Sequence, residues 1–114
     1  MGSLCHGPAA LASLSLLSTD TNVPLAWPLV NRKMTVFSNN EEKVNEASWG
    51  AKLGFYPQDL LTNLGALVSE AAIPYSSHVV TDGNLVTGQN PQSATDFGIA
   101  FVKLLESTKS TTSR

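Results

Sequence analysis

Eight residues near the N-terminus, Leu4-Cys5-His6-Gly7-Pro8-Ala9-Ala10-Leu11, constrain the fold more than any other stretch. They read as a strand end, a sharp turn and a helix start. Pro8 suits a first helical position, where its missing N–H costs nothing. Gly7 allows a tight turn and close approach by another group. A cysteine in such a turn lies near a helix N-terminus, whose partial positive charge favours thiolate. That is the layout of a nucleophile elbow with Cys in place of Ser. A lone cysteine among apolar residues is ordinarily a small buried hydrophobe. The Cys-His-Gly-Pro order at a strand-to-helix junction argues for the reactive alternative.

The rest of the composition narrows the class. A chain of 114 residues supports one domain with a modest core. With 42% hydrophobic and 14% charged residues it is globular rather than disordered. A net charge of −2 gives no electrostatic case for nucleic acid or an acidic membrane surface. One cysteine excludes an internal disulfide, and two histidines give no standard zinc spacing. No stretch reaches the roughly 18 apolar residues of a membrane span. Residues 9–17 lack the basic lead and cleavage site of a signal peptide. His6 stands where a myristoylation signal wants Ser or Thr. The expectation is a soluble cytoplasmic protein.

Along the chain, residues 1–4 make a stub of strand and residues 8–17 a helix with Ala10, Leu11, Leu14 and Leu17 near one face. Residues 18–22 are a polar stop, Pro24 and Pro28 keep the next segment extended, and Trp27 is a packing residue. Residues 33–37 read as a strand, ending at Ser38-Asn39-Asn40-Glu41-Glu42. Acidic residues there suit either a solvated helix start or a functional strand end. Residues 49–55 are irregular. Residues 57–64 form a short helix with Leu60, Leu61 and Leu64 inward and Gly65 as its C-cap. Residues 66–72 suit a strand ended by Pro74. Residues 78–81 and 85–87 flank Asp82-Gly83, or Asp82-Gly83-Asn84 with a bulge, a strong hairpin signal. Asn90-Pro91 opens a last helix, with Asn90 as N-cap, an acidic first turn at Asp96, and a buried stripe of Ala94, Phe97, Phe101, Leu104 and Leu105. Residues 1–106 form the domain and residues 107–114 a disordered polar tail.

Three stretches now line up in order: Cys5–Leu11 as written above, Met34-Thr35-Val36-Phe37-Ser38-Asn39-Asn40-Glu41-Glu42, and Val80-Thr81-Asp82-Gly83-Asn84-Leu85-Val86-Thr87-Gly88-Gln89-Asn90-Pro91. Together they resemble the C-terminal half of the ThiJ/PfpI superfamily, the class I glutamine-amidotransferase-like fold, in its glyoxalase III and small heat-shock chaperone branch. The resemblance implies an α/β fold, a flavodoxin-like parallel-sheet sandwich starting here at the elbow. It places the nucleophile at Cys5, its histidine at His6, and the acid five residues beyond Phe37, at Glu42, with Glu41 the competing choice. In that branch methylglyoxal becomes D-lactate without glutathione, metal or other cofactor. Cys5 would attack a carbonyl, His6 shuttle the proton and Glu42 orient the imidazole. His78 has no part in this set and reads as structural. The Gly88–Pro91 segment reads as positioning the last helix.

Members of that family carry a further N-terminal half, including an acidic residue that hydrogen-bonds the thiol. This sequence has only four residues before Cys5. Two expectations follow. The elbow strand, ordinarily central, would be an exposed edge calling for a homodimer or a partner. Glyoxalase III-like turnover would be impaired, the alternative being a non-catalytic chaperone-like or interaction module.

Overall fold

The computed structural model describes residues 1–17 and 27–112. The polar stop at 18–22 and Pro24 lie outside the described residues. Strand β1 (Gly2–Leu4) leads into a 3₁₀ helix at Gly7–Leu17. There follow β2 (Lys33–Met34), α1 (Asn39–Trp49), α2 (Pro57–Asn63), β3 (Leu67–Val68), β4 (Val79–Asp82), β5 (Leu85–Gly88), a 3₁₀ turn at Pro91–Ser93 and α3 (Ala94–Thr112). The architecture is α/β. No helix among the described residues is long and apolar enough to cross a membrane.

A three-stranded sheet has the order β1-β5-β4, and β2 and β3 form a second, parallel pair. β1 runs parallel to β5, with Gly2 opposite Val86 and Leu4 opposite Gly88. β4 returns antiparallel to β5, with Asp82 opposite Leu85. The hairpin loop is therefore Gly83-Asn84, and Gly83 takes φ 59, which a two-residue loop of this kind asks of glycine. Arg32, just before β2, secures it: Nε donates to Asp82 Oδ2 at 3.1 Å and Nη2 to the Asp82 carbonyl at 2.5 Å.

The strand expected over 33–37 pairs regularly only at its first two residues. Beyond them the backbone donors go elsewhere: Thr35 N–H to Thr87 Oγ1 at 2.9 Å, and Phe37 N–H to the Cys5 carbonyl at 2.9 Å. These bonds join the two sheets, and Met34, Thr35, Val36, Phe37 and Ser38 are all buried. The strand expected over 66–72 is shortened likewise, because Ala71 N–H turns to Gln89 Oε1 at 2.8 Å.

The helix expected after the elbow is 3₁₀ rather than α. A three-residue turn puts residues i and i+3 on one face. Buried Pro8 and half-buried Leu11 and Leu14 then share a side, while Ala10 is exposed. Leu11 and Leu14 pack on a core of Trp27, Leu29, Met34, Val36, Leu61, Ala66 and Leu85. Trp27 is buried and donates its Nε1–H to the Leu11 carbonyl at 3.0 Å. Full burial of a residue such as Leu61 contributes about 1.5–3 kcal/mol.

On α3, Phe97, Phe101 and Leu104 are half-buried, whereas Ala94 and Leu105 are exposed. Their angular positions lie at the margin of the stripe, and the strands beneath are only three and four residues long. The helix runs on to Thr112, through most of the segment read as a tail.

Candidate functional site

Cys5 sits where β1 ends. Its N–H donates to the Gly88 carbonyl at 2.8 Å, and its own carbonyl accepts the Phe37 N–H at 2.9 Å. Held between two segments, it adopts φ 62. A non-glycine residue in this left-handed region stores about 1–3 kcal/mol of strain. The sharp turn is thus made by the cysteine itself. Gly7 supplies close approach instead, since a Cβ there would lie 2.5 Å from Ser3 Oγ.

The structure brings together all three residues singled out as a site. Cys5 Sγ lies 3.4 Å from His6 Nδ1, and His6 Nε2 is paired with Glu42 Oε1. His6 is about half exposed at 48%, while Glu42 is fully buried. Its ring stacks on buried Phe37, with centroids 4.4 Å apart and planes tilted by 30°. Glu42 reaches this position from the first turn of α1, whose N-terminal dipole favours an acidic side chain. Its second oxygen, Oε2, is buried without a hydrogen-bond partner among the described residues.

Glu41, the competing acid, is engaged elsewhere. Its Oε1 accepts the Ser38 N–H at 3.0 Å while Ser38 Oγ accepts the Glu41 N–H, a reciprocal capping box. Its Oε2 accepts the Tyr75 N–H at 2.6 Å and Asn90 Nδ2–H at 2.7 Å. Although burial opposes ionisation, these hydrogen bonds together hold the carboxyl below its ordinary pKa. The Ser38-Asn39-Asn40-Glu41 spacing is itself a capping-box pattern, a signal in the sequence that assigns Glu41 to the helix start.

The expected thiolate bias is not what the environment provides. Burial pushes the Cys5 thiol pKa up, and the charges of Glu41 and Glu42 add to the rise, against an opposing bond from the His6 backbone. Burial is the largest of these influences, and the two carboxylates act in the same direction. This environment favours the neutral thiol over the thiolate, and His6 Nδ1 at 3.4 Å is within reach of its proton.

A cavity of about 180 Å³ adjoins the pair, lined by His6, Ala9, Glu42, Trp49, Phe55 and Pro57. Among the described residues, no group of three or more His, Cys, Asp or Glu is placed to hold a metal ion. His78 stands outside the set and pairs through Nε2 with Ser69 Oγ at 2.9 Å. Asn90 precedes the last helical segment, as expected of an N-cap, but its side chain caps nothing. It ties Glu41 to the Ser76 carbonyl, at 2.7 Å, and to Ser93 Oγ, at 2.6 Å. Phe37, which enters the sequence reading only as the strand end from which Glu42 is counted, lies against the His6 ring, and Tyr75, which that reading does not single out, lies against Phe37.

Comparison with known proteins adds ancestry to this geometry. No family model matches the chain. Over 115 residues it is 31% identical to the glutathione-independent glyoxalase hsp3101 of Schizosaccharomyces pombe, covering 97% of this chain and 45% of that protein. Its structure is similar to that of the 24 kDa Rapid Encystment Protein of Francisella tularensis, with a TM-score of 0.73 and 38% identity over 91% of this chain and 42% of the other. It is also similar to glyoxalase III of Candida albicans, with a TM-score of 0.65 and 27% identity over 90% and 42%. The chain is of the ThiJ/PfpI type. It spans less than half the length of the ThiJ/PfpI relatives it matches. The matched portion of this ThiJ/PfpI chain includes the elbow, α1 and the β4–β5 hairpin, the three elements that assemble around Cys5.

Proposed function

We propose that this ThiJ/PfpI chain carries the nucleophile portion of a glutathione-independent glyoxalase site that converts methylglyoxal to D-lactate. The observation that carries the reading is the line Cys5 Sγ, His6 Nδ1, His6 Nε2, Glu42 Oε1, built on a cysteine held at φ 62. The glutathione-independent glyoxalases among its relatives point the same way.

In this reading His6 takes the Cys5 proton as Sγ bonds to the aldehyde carbon, giving a hemithioacetal. A proton leaves that carbon and one is delivered to the neighbouring ketone carbon. The first carbon is oxidised as the second is reduced, leaving a lactoyl thioester. Water then cleaves the C–S bond, releasing lactate and the thiol, so the sum is methylglyoxal plus water. Glu42 stabilises the imidazolium formed in the first step.

A second reading has support of its own. The thiol is pushed up rather than down, and Ile99, Val102 and Leu105 are exposed on α3. In it the chain is a non-catalytic interaction module whose apolar face and β1 edge are covered by a second copy or a partner. The deciding experiment is D-lactate formation from methylglyoxal without glutathione by the purified chain. The glyoxalase reading expects turnover that Cys5→Ser abolishes while circular dichroism stays unchanged. Wild-type turnover no greater than buffer overturns catalysis by this chain alone and favours the second reading.

A further inference from the structure

Residues 73–76 form a turn in which the Ser76 N–H returns to the Ile73 carbonyl at 3.2 Å. Pro74 is its second residue and Tyr75 its third, and Tyr75 takes φ 66. This is the layout of a type II turn, whose third position asks for Gly or Asn. A tyrosine there is strained by about 1–3 kcal/mol. Four hydrogen bonds hold it in place. Its N–H donates to Glu41 Oε2 at 2.6 Å, its hydroxyl donates to Asn45 Oδ1 at 2.6 Å, and Asn90 Nδ2 bridges Glu41 to the next carbonyl, that of Ser76. The fully buried carboxylate that the proposed chemistry leaves unused is the hub of this arrangement.

What the strained position gains is the ring. Tyr75 meets Phe37 edge-on, with centroids 5.7 Å apart and planes at 73°. The other ring in contact with Phe37 is the His6 imidazole, at 4.4 Å. Phe37 also bonds the Cys5 carbonyl through its own N–H. A continuous series of ring contacts thus runs Tyr75, Phe37, His6 and ends at the Cys5–His6 pair. Because His6 is about half exposed, the ring beneath it decides much of its orientation.

We propose that Tyr75, locked in a strained turn by Glu41, is a positioning residue that sets the His6 imidazole against Cys5 by buttressing Phe37. This rests on the reading of His6 as the base for Cys5. Strain explains why a device rather than simple packing is needed: released from Glu41, the turn would relax and withdraw the ring.

The test uses the full chain, in which the only cysteine and just two histidines make both signals assignable. Cys5 alkylation by iodoacetamide, which forms an S–C bond and releases iodide and the thiol proton, is timed at pH 7.5. The His6 ring resonances, displaced by the Phe37 ring current, are followed by NMR. Tyr75→Gly removes the ring and the strain together, so thermal stability is expected to hold. Alkylation is expected to fall about tenfold, on the scale of an imidazole misplaced by a fraction of an ångström. The His6 resonances are expected to move as well. Tyr75→Phe keeps the ring and is expected to restore both signals. Unchanged rate and resonances in Tyr75→Gly overturn the proposal, as does a Tyr75→Phe variant that falls equally far. His6→Ala separates the two ideas. If it slows alkylation while Tyr75→Gly does not, only the positioning role fails. If His6→Ala alkylates like wild type, the base reading fails and takes the positioning role with it.

Discussion

The Cys5 N–H and the Gly88 carbonyl meet at 2.8 Å, and through this bond the inner strand of the hairpin fixes the end of β1. A Cβ placed on Gly88 would overlap Leu4 Cδ1 and stand 3.4 Å from Phe97. Gly88→Ala is therefore an overpacking change in which Leu4 gives way first. It is expected to cost about 1–3 kcal/mol in urea unfolding. Because Leu4 precedes the elbow, the alkylation rate of Cys5 should change with it. A variant as stable as wild type, with unchanged Cys5 reactivity, would show that this contact does not govern the elbow.

Two adjacent glutamates should respond differently to the same substitution. Glu42→Gln keeps the volume but removes the charge paired with His6 Nε2, so methylglyoxal turnover is expected to drop by about 100-fold or more. Glu41→Gln presents an amide donor to a site already receiving N–H groups from Ser38, Tyr75 and Asn90. Its main effect is expected on stability, about 1–3 kcal/mol for a buried polar group left unmatched. Thermal melts and turnover of the two variants check the division. The opposite pattern would exchange the proposed roles.

Much of the fold could be read from local chemistry. The β4–β5 hairpin follows from Asp82-Gly83-Asn84 between β-branched runs, and α2 from Pro57 and its leucines. The element lengths were not legible, because Thr35 and Ala71 bond to the side chains of Thr87 and Gln89, partners more than a dozen residues away. The 3₁₀ form of the elbow helix was missed because Leu11, Leu14 and Leu17 suit a period of three nearly as well as one of 3.6. At the site, Cys5, His6 and Glu42 were singled out by motif and family resemblance, and the structure places them in contact. Tyr75 was beyond reach: its role depends on a positive φ at a position where sequence rules place glycine.

Acid should loosen the join between β2 and the hairpin. Asp82 is held below its ordinary pKa first by the Lys33 N–H and then by Arg32. A carboxyl lowered on folding stabilises the protein above its unfolded pKa, and that stabilisation disappears as pH falls through the folded value. The loss should begin near pH 4, the ordinary Asp range, and continue below it. Glu41, also lowered, adds a loss of the same sign. Asp82→Asn is expected to be less stable at pH 7 and to show a flatter decline below pH 4. Parallel wild-type and variant curves of stability against pH would exclude Asp82 as a source of the acid sensitivity.

The Cys5 thiol offers the sharpest check on the electrostatics of the site. Burial, then the charges of Glu41 and Glu42, raise its pKa against the opposing His6 backbone bond. Its alkylation rate should therefore climb with a midpoint above that of a free cysteine, about 8.5. In the proposed order of steps the His6 Nδ1, at 3.4 Å, takes the thiol proton as Cys5 attacks. Glu42→Gln removes one of the charges that raise the thiol, so the midpoint is expected to move down toward the free value even as turnover falls. A lowered midpoint together with lost turnover would separate the effect of Glu42 on the thiol from its hold on His6. A wild-type midpoint below that of a free cysteine would contradict the raised thiol, and one below neutrality would mean a resting thiolate paired with imidazolium and reverse the order of proton transfer proposed for Cys5.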